Sequence, residues 1–255
     1  MSLLNIVEPI YTQIKDRATI VSNKNILGID DAITAGTHTL GGANQIMFLK
    51  LGHTNDGIDV ISTSAADTAA SGGGTGARTI LVEGLYCDTA DGNKYKKRIS
   101  KYSMAGTSNG SLLSGVNSFS IIYKISVSTV GSANVNVGSI SCKISSSVLC
   151  VLKPSEGESK ILTHAVAYGK ELLVKSLHIS SYCQTAASLR IEEQDLSTGR
   201  KKLITKLFLA VNTSHIDYPL NHKVGAGSYI TGTITNLESP TGTNHICVKF
   251  ESIET

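Results

Sequence analysis

Apolar residues along this chain recur mostly at every second position, the period of a half-buried strand, and no segment keeps a long helical spacing. Ile46-Met47-Phe48-Leu49 opens the pattern as a short apolar run. In Gly57–Thr63, Ile58, Val60 and Ser62 fall on one parity and Asp59, Ile61 and Thr63 on the other. Strands are predicted next over Arg78–Leu85, Lys94–Lys101, Phe119–Val127, Asn134–Lys143 and Val148–Leu152. After Pro154–Glu158 they become longer and cleaner: Ile161–Ala167, Leu172–Ser180, Ser188–Gln194, Leu203–Val211, Ser228–Thr235 and a last one through Ile246, Val248 and Phe250. Ile216–Leu220 passes through Pro219, which has no N–H for a ladder, and reads as an edge or irregular piece. Asp88–Asn93 (D-T-A-D-G-N) and Leu196–Gly199 carry turn residues, and Ala105–Gly115 reads as a soft loop.

Strands at this spacing, about fourteen of them, predict an all-β fold, a jelly-roll-type antiparallel β-sandwich. Pro154 marks a junction between a first β lobe, residues 44–153, and a second, residues 154–255, which could also close into one unit. Residues 1–43 differ from the rest and read as an extended N-terminal arm, lying along its own domain or a neighbour. Within the arm, Tyr11–Ile20 could make a short helix, and Gly28–Gly42 is rich in turn residues.

Composition agrees with strands. Charged residues make up 17% and aromatics 5%, with no Trp, while there are 24 Gly and 4 Pro. The net charge of +3 is too small to argue for nucleic-acid binding. The five cysteines, Cys87, Cys142, Cys150, Cys183 and Cys247, are widely spaced without C-x-x-C, so buried reduced thiols are expected rather than a disulfide framework or a zinc site. The first residues lack a basic stretch before an apolar core, so no signal peptide is expected. No run approaches the roughly 20 apolar residues of a membrane-spanning helix.

Candidate chemistry is sparse. The glycines at Gly72, Gly73, Gly74 and Gly76 give a loose G-x-G-x-x-A with Ala77, but they run into a strand, Ile80-Leu81-Val82. A dinucleotide turn must instead open a helix whose N-terminus holds the pyrophosphate. These glycines therefore read as an inter-strand loop where φ is positive or backbones approach closely. The seven histidines form neither H-x-H nor H-E-x-x-H. His215, Asp217 and His222 are close in sequence, and finding them together in a pocket would favour a hydrolase. There is no G-x-S-x-G elbow, and Glu192 and Glu193 point to opposite faces of one strand. No catalytic, cofactor or metal residue is therefore assigned. The densest basic run is Lys94-Tyr95-Lys96-Lys97-Arg98, with Lys94, Lys96 and Arg98 on one face and Tyr95 and Lys97 on the other. Lys94, Lys96, Lys97 and Arg98 read either as charges that protect an edge strand or as a contact to an acidic partner or phosphate.

The segment D-T-A-A-S-G-G-G-T-G-A-R-T-I-L-V-E-G-L, Asp67–Leu85, resembles a loop-and-strand pattern of virion structural proteins of tailed phages and large DNA viruses. In that pattern a G-L-D-A-x-Y-like turn follows, and here Gly84-Leu85-Tyr86-Cys87-Asp88 departs from it. G-S-A-N-V-N-V at Gly131–Val137 is similar to a second segment of the family, and Glu158–Asn236, with Tyr168-Gly169-Lys170, is similar in layout. The resemblance spans roughly residues 55–250 and leaves the arm uncovered. It implies a non-enzymatic capsid, penton, decoration or fibre component located in the virion. Its partners would be copies of itself and other capsid proteins. The alternative is a receptor- or carbohydrate-binding β-sandwich of a viral fibre.

Overall fold

The computed structural model describes residues 22–33, 37–39, 48–49, 52–70, 74–144, 147–159, 162–183, 185–212, 215–236 and 244–255. Among them the regular structure is strand, apart from one 3-10 turn at Thr89–Asp91, and every strand pairing is antiparallel. The all-β antiparallel sandwich predicted from the two-residue period is the fold of the protein. The helix read over Tyr11–Ile20 lies outside the described residues.

The strands form two sandwiches. The first uses β3 (Phe48–Leu49), β4 (Asp59–Ser62), β5 (Ala77–Asp88), β6 (Lys94–Ala105), β7 (Ser108–Ser114), β8 (Ile121–Val130), β9 (Ile140–Ile144) and β10 (Ser147–Leu152). Its sheets are β3-β8-β5-β6-β7 and β10-β9-β4. Ile58, Val60, Ile80, Val82, Tyr102, Met104, Phe119, Ile122, Ile125, Ile140, Cys142 and Leu152 fill the space between them.

The second sandwich uses β1 (Ser22–Ile33), β2 (Thr37–Thr39), β11 (Thr163–Ala165), β12 (Leu172–Tyr182), β13 (Ala187–Asp195), β14 (Lys201–Leu209), β15 (His215–Val224), β16 (Ser228–Asn236) and β17 (Asn244–Glu254). One sheet is β1-β17-β12-β15. The other is β11-β16-β13-β14, with β2 also on β16. If β2 and β11 count as one strand, the sheets run first-eighth-third-sixth and second-seventh-fourth-fifth, the order of a jelly roll. Ser22–Ile33 and Thr37–Thr39, inside the stretch read as an arm, thus supply strands of this sandwich.

The register shows that β2 and β11 are halves of one strand. β2 pairs Thr37 with Thr235 and Thr39 with Thr233. β11 continues along the same edge of β16, pairing Thr163 with Thr231 and Ala165 with Tyr229. Only Gly232 lies between, and its N–H donates to the Leu162 carbonyl at 3.0 Å. The whole first sandwich is therefore an insertion into the second strand of the jelly roll.

Strand β12 shows how sequence sets register. Leu172 and Val174 face the core on one parity, Leu177 and Ile179 on the other. A strand can bury both sets only if it slips by one residue. The ladder to β17 shifts between Val174 and Ser176, whose partners Ser252 and Glu251 are consecutive, leaving Lys175 as the extra residue; the ladder to β15 shifts at the same place, with Leu220 and Asn221 opposite Lys175. β15, which carries Pro219, is an edge strand as its sequence requires.

Other expectations change. The strand read over Asn134–Lys143 begins only at Ile140, and Gly28–Gly42, read as turn-rich, carries the end of β1 and all of β2. Ala105–Gly115, read as a loop, is mostly β7, hairpinned onto β6 through Gly106 at φ 64. Its sequence, S-N-G-S-L-L-S, has no alternation because neither side of the strand is buried. The ladder to β6 makes it a strand, and burial of its own side chains does not.

Where the sandwiches meet, Leu85, Cys87, Tyr95, Ile121 and Tyr123 of the first pack on Ala165, Leu196 and Tyr229 of the second. The Tyr168 N–H donates to the Tyr95 carbonyl at 2.6 Å, and the Gly52 N–H to the Leu196 carbonyl at 3.0 Å. Burial pushes the Tyr95 phenol up to about 12, and its hydroxyl donates to the Gly52 carbonyl at 2.8 Å.

Candidate functional site

The glycine loop is a structural knot. Asp67 is fully buried. Its carboxylate accepts from the Ser62 hydroxyl at 2.6 Å and from the N–H groups of Ala77 at 2.7 Å, Val137 at 2.9 Å and Gly138 at 2.7 Å. A buried carboxylate is tolerated when its lone pairs are taken up in this way. Gly72 and Gly73 lie outside the described residues; Gly74, Gly76 and Gly131 are there for space. A Cβ on Gly76 would sit 2.1 Å from Asp67 Oδ1, one on Gly74 1.9 Å from the Thr68 carbonyl oxygen, and one on Gly131 2.1 Å from that of Gly74. Asp67 and Gly74 on one segment and Val137 and Gly131 on the other are thus joined in space. Asn136 completes the join: its amide nitrogen donates to the carbonyls of Gly138 at 2.9 Å and Lys153 at 2.7 Å. Sequence reasoning missed Asp67 as an anchor, because its partners at Val137 and Gly138 are distant in the chain.

The basic run lies on β6, where residues 94–100 pair with β5 only and β7 joins from Lys101 onward. Tyr95 faces the seam between sandwiches, as described. Each cation has a partner within the chain. Lys94 Nζ lies 2.8 Å from Asp91, and Lys96 Nζ 2.9 Å from Asp88 and 2.7 Å from Asp91. Lys97 Nζ lies 2.7 Å from Glu83. Arg98 stacks on the Tyr86 ring, 3.6 Å to the centroid, and donates to the Ser118 carbonyl at 2.5 Å. Hydrogen bonds from Lys94 and then Lys96 hold Asp91 down at about 2.

The histidine cluster does not assemble as a pocket. On β15, His215 and Asp217 point outward, while His222 turns inward to Glu193 of the facing sheet, Nε2 to Oε2 2.8 Å. Glu192 instead pairs with Arg190 at 2.7 Å, so the adjacent acids do serve opposite faces. Asp217 meets a residue that sequence spacing did not suggest: His178 of β12, whose Nδ1 lies 2.6 Å from Oδ1. His178 Nε2 lies 3.1 Å from Ser176 Oγ, giving a Ser-His-Asp chain. Ser176 Oγ, however, donates to Glu251 at 3.2 Å. An anion against the nucleophile opposes the charge that acyl transfer develops. The group lies on an open sheet face, with Asp217 61% and Glu251 52% exposed. Its signal was the strand pairing His178–Asp217 and His178–Lys249, which only the fold reveals.

Cys87 lies 3.7 Å from His53 Nδ1. Burial pushes its thiol up, so the pair favours the protonated, unreactive form. Among the described residues, no cluster of three or more metal-ligating side chains is present, and no helix is long and apolar enough to cross a membrane.

No family model and no curated protein matches this chain. Among solved structures, similarity extends to a structure of infectious bursal disease virus (Gt strain), at 8% identity and TM-score 0.21, covering 93% of this chain and 73% of that one. The cysteine protease and lectin-like domains of Cwp84, a surface-layer-associated protein of Clostridium difficile, match at 8% identity and TM-score 0.23, covering 76% of this chain and 52% of that one. A crystal structure of PirA matches at 9% identity and TM-score 0.27, covering 35% and 77%. At these scores the neighbours carry no argument, and the fold rests on the strand order.

Proposed function

We propose that this chain is a non-enzymatic structural component of a virion that acts through contacts between subunits. The observation that carries the reading is the jelly-roll strand order with a complete second sandwich inserted into one strand. Jelly rolls serve as viral capsid and lectin domains, and the insertion adds to one a second sandwich with loops of its own. The resemblance over residues 55–250 points the same way. Its motif is spent on the knot around Asp67, which favours a framework role for that segment over a ligand loop. On this reading Lys94, Lys96, Lys97 and Arg98 contact a capsid partner whose acids replace Asp88, Asp91 and Glu83. Whether the chain is a penton, decoration or fibre component is decided by the assembly it forms.

The lectin use of the same fold supplies the second reading, a glycan-binding module, and the exposed rings of Tyr168 and Tyr182 are what favour it. The full chain, purified alone, should be imaged by negative-stain electron microscopy and screened against a glycan array. Shells or regular capsomers without glycan binding support the structural reading. A monodisperse single chain that binds glycans overturns it in favour of the second.

A further inference from the structure

The structure holds its cysteines as thiols, and four of the five are buried. Three are dispersed: Cys87 at the seam, Cys183 in the jelly-roll core and Cys247 on β17. The other two meet. The ladder between β9 and β10 sets Cys150 directly opposite Cys142. The placement depends on one residue. Val148 pairs with Lys143 and Cys150 with Cys142, so Leu149 is the extra residue of a bulge. Without it Cys150 would stand opposite Ser141. Beyond the bulge Leu152 pairs with Ile140, and all four side chains of these two pairs lie in the core of the inserted sandwich. Both thiols therefore point to the same side of the same sheet. Directly opposite residues of an antiparallel pair have Cα atoms about 4.5 or 5.5 Å apart, and either spacing falls within the roughly 4.4–6.8 Å that a disulfide spans. Both thiols are fully buried, and burial pushes Cys150 up to about 12 and Cys142 up as well. Reaction must wait for the strands to part, and β10 is placed for that as the edge strand of its sheet. The base of the hairpin is clamped separately, by the Asn136 amide on the carbonyls of Gly138 and Lys153.

We propose that Cys142 and Cys150 are an oxidisable dithiol, a latch whose disulfide locks edge strand β10 onto β9 when the folded chain meets an oxidising medium. The oxidant is a small-molecule disulfide. When β10 frays, the Cys150 thiolate attacks one sulfur of the oxidant, whose S–S bond breaks and releases the first thiolate. The strand closes again, and the Cys142 thiolate attacks the Cys150 sulfur and expels the second. The two cysteines give up two electrons and two protons, and the oxidant leaves as two thiols. A single buried cysteine is only a small apolar side chain. Two of them opposed across a ladder can also be joined. The latch is independent of whether the chain builds a virion or binds a glycan, and it closes only outside a reducing compartment.

The test incubates the full, folded chain with reduced and oxidised glutathione over a range of ratios, quenches it with acid, then unfolds and alkylates it. Intact mass reads the alkyl groups, which should fall from five per chain to three. Peptide mapping should recover Cys142 joined to Cys150. Hydrogen exchange of the β10 amides should slow about tenfold or more on oxidation, while the jelly roll keeps its rates. Cys142→Ala and Cys150→Ala should each keep every remaining thiol, and Cys87→Ala should lose two as wild type does. Five thiols that survive every ratio overturn the proposal. So do a disulfide mapped to another pair, a glutathione adduct on Cys150 that never resolves, and oxidation that needs urea. The wild-type chain carries the readout, so a variant that fails to fold leaves the result standing.

Discussion

The two sandwiches are built from the same alternation but closed by different means. The inserted one is largely local: β5, β6 and β7 follow one another as a meander, and its loops are tied by one buried carboxylate. The jelly roll is closed by contacts between chain ends. β1 pairs with β17 along its length, Ser22 opposite Glu254, so its first strand and its last complete each other. Non-local pairing carries a loop-closure cost that local hairpins avoid. The difference predicts an inserted sandwich that tolerates damage to the jelly roll, whose own failure is all-or-none.

The harshest way to break this comparison is a chain that starts at residue 40, without β1 and β2. β17 then loses one ladder neighbour and β16 part of another. Hydrogen exchange should show β12, β13, β16 and β17 losing protection altogether, while β5, β6 and β8 keep theirs. Equal loss in both sandwiches would show that they fold as one unit. Deleting Lys175 comes next. Without the extra residue, either Leu172 and Val174 or Leu177 and Ile179 must turn outward. The loss of two buried aliphatic side chains should cost about 4 kcal/mol or more, read as a fall in the urea midpoint.

The inserted sandwich is attacked through its knot. Asp67→Ala leaves two buried N–H groups, the half-buried N–H of Val137 and the Ser62 hydroxyl without their acceptor, at a cost of about 3 kcal/mol or more. Gly76→Ala places a methyl against the same carboxylate and should cost about 2 kcal/mol. In both variants the loss of exchange protection should fall on β4, β5 and β9 and spare the jelly roll.

Periodicity made much of this legible. Most of the strands after residue 57, the turn at Asp88–Asn93, the edge character of the Pro219 strand and the close approach at Gly74 and Gly76 could be taken from the residues themselves. Pairing partners could not. Nothing in Ser22–Ile33 says that β17 lies beside it, and nothing in Thr37–Thr39 says that its strand resumes at Thr163 beyond an entire sandwich. β7 was invisible for another reason: a strand with both faces exposed has no hydrophobic period to read. The side-chain groups follow the same rule. Lys94–Arg98 could be found as a run, but their partners Asp88, Asp91 and Glu83 belong to β5 and its turn. His178 could not be joined to Asp217 until β12 and β15 were paired.

The smallest effect belongs to the seam between the sandwiches, where charge rather than packing is exposed. Lys94 lies 2.8 Å from Asp91, and its Nζ sits 4.5 Å from the ring centroid of Tyr168 in the other sandwich. In the folded chain Asp91 titrates at about 2, against an ordinary 3.8. A depressed folded value means that the ionised form is the one folding favours. The contribution is therefore complete above about pH 4 and is lost as pH falls from there towards 2. Because the group is open to solvent, the change in stability should be slight. A carboxyl titration by NMR should place the Asp91 midpoint near 2 and show it returning towards the ordinary value in Lys94→Met, the larger contributor, and by less in Lys96→Met. If the seam depends on this charge, exchange at the Tyr168 amide should quicken over the same pH range while the interiors of both sandwiches stay protected. If it does not, the apolar contacts of Leu85, Tyr123, Leu196 and Tyr229 hold the sandwiches together by themselves.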